Sequence, residues 1–598
     1  ESTYMKKLLV CLFLLQFTQL AIASTNVPAG NVSGATWTLA GSPYLVGGNI
    51  TISSLNIQPG VEVIMQGFYQ IKVNGILRAV GTQAAPIVFK IHDTTGWHND
   101  IIQAGGWRGV YFNEYNGVDS SLLSYCIFKD VKHGVNFPMN DNAALFIFYR
   151  SLKVSHCEYV HCQSTANQSV GNILVGSLKP GQVFELEYCN IHENQTRVAA
   201  FKFDTYMGGT LKVHDNRFHH NMQGGTVFTI FSEMLFENNE VDSNSNGAVG
   251  MGTIRVDGGH NILRGNKIHH NVNQRLAAIA CTMGKTTIEK NLICNNQMLD
   301  GNCGLTDGGG GIHISHNNNG IFDSTEYIIR DNIIANNYAN YFGAGIYIYS
   351  CKAWIYNNHF VKNKSTSDGA AIHSFNNLTQ LYIQNNIFYG NESSLYGVKK
   401  DIRIFEGVFY TFENNWIDYP FYEMIEATNI VRNGDTTSNV LSASPLLMNP
   451  TLISGHTDNA LFADFKLTQT SPCINAGKTQ NINPSATDFY GNQRISGPKI
   501  DIGAHEYFSA GTEGIEDMVK AFPITISPNP ANDKIKIDFE ELDEYLILLY
   551  DLTGKLLFTK SLAGKSALLD ISEFPAGNYL LFTENKAKEK VIQKMSIY

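Results

Sequence analysis

The chain has few charged side chains and no cluster of basic ones. Lys, Arg, Asp and Glu make up only 16% of its 598 residues, and the formal net charge is −10. Nucleic-acid binding needs clustered Lys and Arg to neutralise phosphates, so this composition argues against nucleic acid as the main partner. With 53 Gly, 28 Tyr and 34 Phe, the composition is typical of a folded, turn-rich protein.

Long apolar runs are also lacking after the first two dozen residues. The N-terminus has the pattern of an export signal, with basic residues at 5–7, an apolar stretch at 8–20 and a small-residue site at 21–23. Met5 is the expected start codon. A membrane anchor is the alternative interpretation, but the run is short for a bilayer span. We therefore expect residues 1–23 to be removed on export and the mature protein to have no membrane span.

A repeat runs through the middle of the chain. Its template is an apolar residue, two positions, an asparagine, one position and a second apolar residue. The spacings of eight such asparagines are 23, 27, 25, 41, 26, 28 and 29 residues, for Asn216, Asn239, Asn266, Asn291, Asn332, Asn358, Asn386 and Asn415. A period in this range indicates a solenoid, and alternating apolar residues favour strands over helices. Each repeat is predicted to form one coil, stacked on the next at about 4.8 Å.

The asparagines are predicted to form a ladder inside the turns. At a sharp inward turn, each side-chain amide can bond to the same residue in the neighbouring coils, which satisfies polar groups that are costly to bury alone. Cys126, Cys157 and Cys189 occupy the same template position upstream. Cysteine packs as a small buried hydrophobe, so these three are interpreted as ladder residues rather than nucleophiles.

A second strand follows a Gly- or Ala-rich step in several repeats. The step and strand lie at residues 224–230, 309–315, 343–350 and 369–375. Small residues allow neighbouring coils to approach closely at the corner before a strand. Alternation along this strand predicts that Ile312, Ile346, Ile372 and Ile402 point inside.

Segments at both ends of this region resemble a known superfamily. Residues 54–65 (SLNIQPGVEVIM), 69–81 (YQIKVNGILRAVG) and 106–112 (GWRGVYF) are similar to the first coils of pectate-lyase-like right-handed β-helices in secreted Bacteroidetes-type proteins. Residues 471–507 resemble the closing segment of such proteins. The resemblance covers about residues 30 to 507. It implies an all-β chain in which residues 24–507 form a right-handed parallel β-helix, closed by residues 440–507.

The last residues form a separate module. In residues 522–598, the segments SPNPANDKIKI, LYDLTGKLL, DISEFPAGNYLL and KVIQKMSIY are similar to the type A C-terminal sorting domain of the type IX secretion system. The turns and short alternating strands by themselves indicate a small β-sandwich, and an ordinary adhesion module is the alternative. Residues 508–521 are the expected linker. The resemblance implies passage through the periplasm, the type IX machinery as a partner, and a secreted or outer-membrane surface location.

Two motif sets of familiar β-helix enzymes are absent. Polygalacturonase-like hydrolysis uses closely placed aspartates, often adjacent ones, and the chain has no Asp-Asp pair. Pectate-lyase-like proteins often carry Arg-x-x-Pro, and no arginine here has proline three residues on. Those activities are disfavoured, although the fold hosts many others.

Outward positions of the Gly-rich strand form a candidate catalytic column. Its members are His313, Tyr347, His373 and Arg403, with Lys202 and Phe228 as substrate-binding candidates further up. Aromatic faces can stack on pyranose rings, and Arg can bind a carboxylate bidentately. In a polyuronide lyase, His373 or Tyr347 would remove the proton next to the uronate, and Arg403 would neutralise the carboxylate. An ordinary solvated β-face is the alternative.

A second outward column lies three residues after the ladder positions. It contains His192, His219, Asp242, His269 and Cys294, which are ligand types for a zinc-like ion. A divalent metal ion is therefore a candidate cofactor, although no spacing of the C-x-x-C kind supports it. Nine of the ten cysteines remain after Cys11 leaves with the signal, and an odd number argues against a complete disulfide framework. A disulfide between Cys294 and Cys303, which bracket extra residues of the 41-residue repeat, would compete with metal binding.

Together these features predict a monomeric, secreted or surface-held β-helix that binds or acts on polysaccharide. A polyuronide lyase is the most concrete enzyme of this kind. A noncatalytic adhesin or structural surface protein is the alternative from another class.

Overall fold

The computed structural model describes residues 24–508 and 524–597 apart from internal gaps. The gaps are residues 100–101, 118–119, 133–142, 165–171, 206–207, 248–251, 301–307, 317–324, 377, 395–400, 406–407, 420–424, 427–430, 433–435, 529–530, 532, 552–555, 573, 576 and 587–589. The chain divides into one compact unit up to Phe508 and a second from Ser509. The expected signal at residues 1–23 lies outside the described residues. Within the described ranges, no helix is long and apolar enough to span a membrane.

The larger unit is a right-handed parallel β-helix, as predicted, and its coils have three faces. Face 1 is a parallel sheet with one strand from each coil. Its strands are Thr25–Val27, Tyr44–Val46, Glu62–Met65, Ile87–Ile91, Cys126–Lys129, Glu158–Val160, Asn190–His192, Arg217–His219, Glu240–Asp242, Lys267–His269, Leu292–Cys294, Ile333–Ala335, His359–Val361, Ile387–Tyr389, Trp416–Ile417 and Val440–Leu441.

Faces 2 and 3 belong to one continuous parallel sheet, because several strands run through a corner. The strands that run from face 2 into face 3 are Ile50–Ile57, Ile71–Val80, Met222–Glu237 and Ile254–Arg264. Gln195–Asp204 runs instead from the corner after face 1 into face 2. The other strands of face 2 are Gly30–Val32, Val110–Phe112, Leu145–Phe148, Asn172–Ser177, Ile279–Thr282, Ile312–Ser315, Ile346–Tyr349, Ile372–Phe375, Ile402–Ile404 and Ile425–Glu426. The other strands of face 3 are Ala35–Trp37, Leu122–Ser124, Leu152–Ser155, Val183–Glu187, Thr210–His214, Lys285–Glu289, Glu326–Arg330, Lys352–Tyr356, Gln380–Gln384, Phe409–Glu413 and Val431–Arg432. Short strands between faces 1 and 2 are Gln163–Ser164, Ser245–Asn246, Val272–Asn273, Gln297–Met298, Tyr338–Ala339, Lys364–Ser365 and Glu392–Ser393.

Alternate residues of each strand fill the interior. The four isoleucines predicted to point inside, Ile312, Ile346, Ile372 and Ile402, are all fully buried. Like residues stack from coil to coil, as in Phe360 and Phe388, whose ring centroids lie 5.0 Å apart with planes inclined by 6°. The interior apolar side chains form one cluster along the unit, and each large one contributes about 1.5–3 kcal/mol to stability.

The predicted asparagine ladder is present at the corner between faces 3 and 1. Asn358 Nδ2 donates to Asn386 Oδ1 at 3.0 Å, and the same oxygen accepts the backbone N–H of Asn358 at 3.0 Å. The pattern repeats along all eight predicted asparagines. Upstream, the Cys189 N–H donates to Asn216 Oδ1 at 2.8 Å and the Cys157 N–H donates to Cys189 Sγ at 3.3 Å. The interpretation of these cysteines as ladder residues is confirmed.

A second ladder, which was not predicted, lies at the corner after face 1. Its members are Asn194, Asn221, Asn244, Asn271, Asn296, Asn337, Asn363 and Asn391. In this ladder Asn363 Nδ2 donates to Asn391 Oδ1 at 3.0 Å. The residues before the two ladder positions have positive φ, such as +57° at Asn357 and +55° at Lys362. This left-handed conformation makes the sharp turns that carry both ladder side chains inside.

At the Gly- and Ala-rich residues before face 2, neighbouring coils approach each other closely, as predicted. A Cβ atom at Gly345 would meet the carbonyl oxygen of Ala371 on the next coil. Gly369 has a φ of +62°, which favours glycine at that position.

Residues 440–507 close the β-helix: Val440–Leu441 is the last strand of face 1, and the residues after it fold back over the outer surface of that face. They contain an antiparallel strand pair, Leu447–Asn449 and Asp464–Leu467. The short 3₁₀ helices of the unit are Leu39–Gly41, Thr436–Ser438 and Ala460–Phe462. Apolar side chains of this closing segment pack on the downstream half of face 1. The buried Arg494 guanidinium fixes the contact, with Nε 3.2 Å from Asp331 Oδ1 and Nη1 3.3 Å from Glu506 Oε2.

The smaller unit is an antiparallel β-domain with its own core. Its strands are Ile524–Ser527, Lys534–Asp551, Leu556–Asp570, Gly577–Asn585 and Lys590–Ile597. Ile537, Ile547 and Leu581 are fully buried in this core. The predicted all-β organisation therefore holds for both units.

Candidate functional site

The candidate catalytic column lies on the outer side of face 2 in the predicted register. His313 pairs with Tyr347, Tyr347 with His373, and His373 with Arg403 on successive coils. The rings stack, with centroids 5.3 Å apart at each of the two steps from His313 to His373. The column predicted from strand alternation is therefore a continuous ring stack.

Three members of this column are covered rather than open to solvent. Tyr347 is 0% exposed, and His313 and His373 are each 3% exposed. Phe342 stacks on His373 with centroids 4.2 Å apart, and His313 Nδ1 bonds the Gly308 carbonyl at 3.1 Å. The expectation of an open stripe is wrong for these rings, because residues that precede the strands lie over them. Arg403 is half-buried.

Burial keeps both histidines of the column neutral. It lowers the pKa of His313 to about 4 and the pKa of His373 to about 3. The positive charges of Arg255, near His313, and Arg403, near His373, also lower these pKa values. Since a carbonyl oxygen only accepts, Nδ1 of His313 donates to Gly308 and Nε2 is left as the basic nitrogen.

Lys202, Phe228 and Arg255 form the upstream part of the same column on three consecutive coils. Lys202 Nζ and the Arg255 guanidinium carbon lie 5.8 and 5.3 Å from the centroid of the Phe228 ring. Asp257 holds Arg255, with Nη2 and Oδ2 2.8 Å apart. Burial lowers the pKa of Lys202. Arg255 was not among the predicted residues, although it follows Phe228 by 27 residues, the same step as from Asn239 to Asn266.

The predicted metal column is on the outer side of face 1, in register from His192 through His219, Asp242 and His269 to Cys294. Its members do not all converge. His192 Nε2 bonds Glu158 at 2.9 Å, and His219 Nε2 bonds Asn190 at 3.0 Å. The two imidazoles stack with centroids 4.8 Å apart, and burial first, then the charge of Arg217, lowers the pKa of His219 to about 4.

Asp242 and His269 converge instead with Glu240, which was not among the predicted ligands. One ligand atom from each of the three lies within 4.8 Å of the others. Arg217 already binds Asp242, with Nε–Oδ1 and Nη2–Oδ2 distances of 3.0 and 3.3 Å. His269 Nε2 bonds Glu240 Oε1 at 3.1 Å. The cluster is a network in which Arg217 already pairs with Asp242 and therefore competes with a divalent cation for that carboxylate.

Cys294 lies under the closing segment at the end of this column. It is a fully buried free thiol, and burial raises its pKa well above the usual range. A thiol held protonated is a poor metal ligand. Its predicted disulfide partner Cys303 lies outside the described residues.

Comparisons with known proteins identify the smaller unit. Residues 525–598 match the secretion system C-terminal sorting domain. Similar solved structures include the complex structure of alginate lyase AlyF-OU02, 13% identical, covering 76% of this chain and 89% of that chain with a TM-score of 0.32. The PL6 family polysaccharide lyase Pedsa3628 from Pseudopedobacter saltans is 11% identical, covering 72% and 94% with a TM-score of 0.19. No curated protein matches the chain in sequence. The chain therefore joins the parallel β-helix described above to a type IX sorting domain, and this domain marks the protein for export to the cell surface or secretion.

Proposed function

We propose that the β-helix binds an acidic polysaccharide along the outer surface of face 2. The observation that carries this proposal is the succession of Lys202, Phe228 and Arg255 on consecutive coils. With coils about 4.8 Å apart, the two cations lie roughly 10 Å apart with a ring between them. The buried Phe228 ring holds the two cations in place, and a guanidinium suits a carboxylate.

A polyuronide lyase is the enzymatic version of this function. His373 or Tyr347 would remove the proton next to the uronate carboxylate, and Arg403 would stabilise the negative charge that develops. His373 is neutral at neutral pH, as a base must be, because burial and the charge of Arg403 lower its pKa to about 3. Phe342 covers His373, so substrate contact requires the Phe342 ring to move.

Retention on immobilised polysaccharides tests the binding function. Arg255→Gln is expected to weaken retention on uronate-containing glycans about tenfold, which corresponds to about 1.4 kcal/mol for one lost charge-assisted contact. Lys212→Gln, at an exposed position of face 3, removes the same charge elsewhere and serves as the control. Equal retention of Arg255→Gln and the unaltered protein would contradict binding on face 2.

Ultraviolet absorption of unsaturated sugar products tests the lyase version. Phe342→Ala is expected to raise turnover because it uncovers His373, and His373→Gln is expected to abolish it. Glycan retention without product, in both the unaltered protein and Phe342→Ala, would identify the noncatalytic adhesin.

Deletion of the sorting domain tests its role in export. The larger unit has its own core, so a chain that ends before residue 522 is expected to fold and accumulate in the periplasm of a type IX-competent host. Normal delivery of this truncated chain to the surface or medium would rule out the type IX machinery as its partner.

A further inference from the structure

The outer side of face 3 has a ring stack that ends in a notch. Trp354 and Tyr382 pair on successive coils, with ring centroids 3.9 Å apart and planes inclined by 13°. On the next coil, the residue paired with Tyr382 is Thr411. Threonine is too small to cover a phenol ring, and a groove of about 410 Å³ lies here. One side of the Tyr382 ring therefore packs on Trp354, and the other borders the groove.

The walls of this groove combine apolar and polar groups. The side chains that matter are Tyr382, Phe409 and Ile482 on the apolar side and Gln384, Glu413 and Asn481 on the polar side. The closing segment holds two of the polar groups, since Gln384 Nε2 donates to the Lys478 carbonyl at 2.6 Å and Glu413 pairs with Lys478 Nζ at 2.9 Å. Fixed polar groups beside an apolar surface are typical of small-ligand sites.

We propose that this notch binds one neutral pyranose unit of a glycan, stacked on the Tyr382 ring above Thr411. A pyranose has an apolar C–H side and a polar edge, which match the ring and the amide and carboxylate groups of the rim. The volume lies within the range of about 300–1,000 Å³ usual for ligand pockets.

The charges around the notch favour a neutral sugar over an acidic one. Glu413 is paired with Lys478. Lys352 lies over the Trp354 ring at 5.2 Å and pairs with Glu326 at 3.4 Å. Both of these lysines therefore have an anionic partner, and Glu413 adds a carboxylate to the rim of the notch, which disfavours an acidic sugar. The notch is on a different face from Lys202 and Arg255, so this inference stands independently of the proposed function.

Titration of the exported protein with neutral hexose oligosaccharides tests the proposal, followed by calorimetry and by tryptophan fluorescence. Tyr382→Ala removes the stacking surface and Thr411→Trp fills the notch, and each is expected to weaken binding at least about tenfold. Thr287→Trp introduces the same ring in the same column four coils upstream and is expected to bind like the unaltered protein.

Unchanged affinity in both Tyr382→Ala and Thr411→Trp would overturn the proposal. So would the absence of binding of any neutral oligosaccharide by the unaltered protein. Arg255→Gln leaves face 3 intact, so its effect on acidic glycans reports separately on face 2.

Discussion

The upstream and downstream halves of face 1 share one backbone pattern and differ in their outer surfaces. Upstream, Arg217 and Asp242 form an ion pair on the outer side. Downstream, Ile333, Val361 and Trp416 pack under the closing segment. The strands pair in parallel throughout, and both ladders continue from one half into the other. Interior and ladder residues therefore determine the coil, whereas the outward residues match whatever lies over them.

Removal of the Arg494 guanidinium, which lies between the downstream half of face 1 and the closing segment, should lower stability most. Arg494→Met leaves the buried carboxyl groups of Asp331 and Glu506 without their cation. The free energy of unfolding is expected to fall by about 3–5 kcal/mol, since a buried ion pair that loses one partner leaves an uncompensated charge. Arg217→Met removes a guanidinium that is 50% exposed and should cost less than about 1 kcal/mol. Denaturant unfolding measures both losses. Similar losses in Arg494→Met and Arg217→Met would show that the closing segment does not make the downstream ion pair more important for stability.

Ladder substitutions should affect the two halves equally. Asn239→Leu upstream and Asn386→Leu downstream each remove a side-chain amide that bonds to neighbouring coils. Each is expected to lower the free energy of unfolding by about 2–3 kcal/mol, because backbone partners on adjacent coils lose their bonds. A much larger loss at Asn386 than at Asn239, measured by thermal unfolding, would mean that the ladder depends on the cover.

Two buried groups in the downstream half of face 1 and the closing segment should make stability depend on pH in opposite directions. Burial first, then nearby positive charges, lowers the pKa of His359 to about 3. Its contribution is therefore present above about pH 6.5 and is lost as pH falls towards 3. Burial, then the charge of Asp501, raises the pKa of Glu506 to about 7, so its contribution is present below about pH 4.5 and is lost as pH rises through 7.

Melting temperatures recorded from about pH 3 to pH 8 check both parts. His359→Phe should flatten the loss on the acid side, and Glu506→Gln should flatten the loss between about pH 4.5 and 7. Profiles that keep the shape of the unaltered protein would exclude these groups as the cause.

The smallest expected effect concerns the uncovered half. Arg217→Ala should release Asp242 for a cation beside Glu240 and His269, and zinc affinity is expected to rise about tenfold. Arg264→Ala, on face 3, removes a comparable ion pair with Glu237 and should leave zinc affinity unchanged. Calorimetry with zinc compares the two variants. Equal zinc affinities would contradict a zinc site formed by Glu240, Asp242 and His269.

The coil pattern was accessible from sequence because ladder residues recur at one template position. The second ladder has the same period, and Asn221 lies in the same repeat segment as Asn216. It was not predicted because the repeat template ended at the apolar residue between these two asparagines. Trp354 and Tyr382 each precede a ladder asparagine by four residues, so their stack was equally within reach. The burial of Tyr347 could not be predicted in this way, because the residues that lie over it belong to loops whose sequences do not repeat from coil to coil.

The two ladders keep a constant distance along the chain. From Asn216 to Asn391, each second-ladder asparagine follows its first-ladder neighbour by five residues, while the step from coil to coil ranges from 23 to 41. Coil length therefore varies only outside this five-residue segment, which sets the spacing between the two ladder turns of each coil. Excising residues 333–358 would join Asn332 directly to the segment that follows Asn358 and leave both ladders continuous. Gain or loss of a whole coil, or of residues in one loop, would thus leave unchanged the five-residue spacing on which the stacking of both ladders depends.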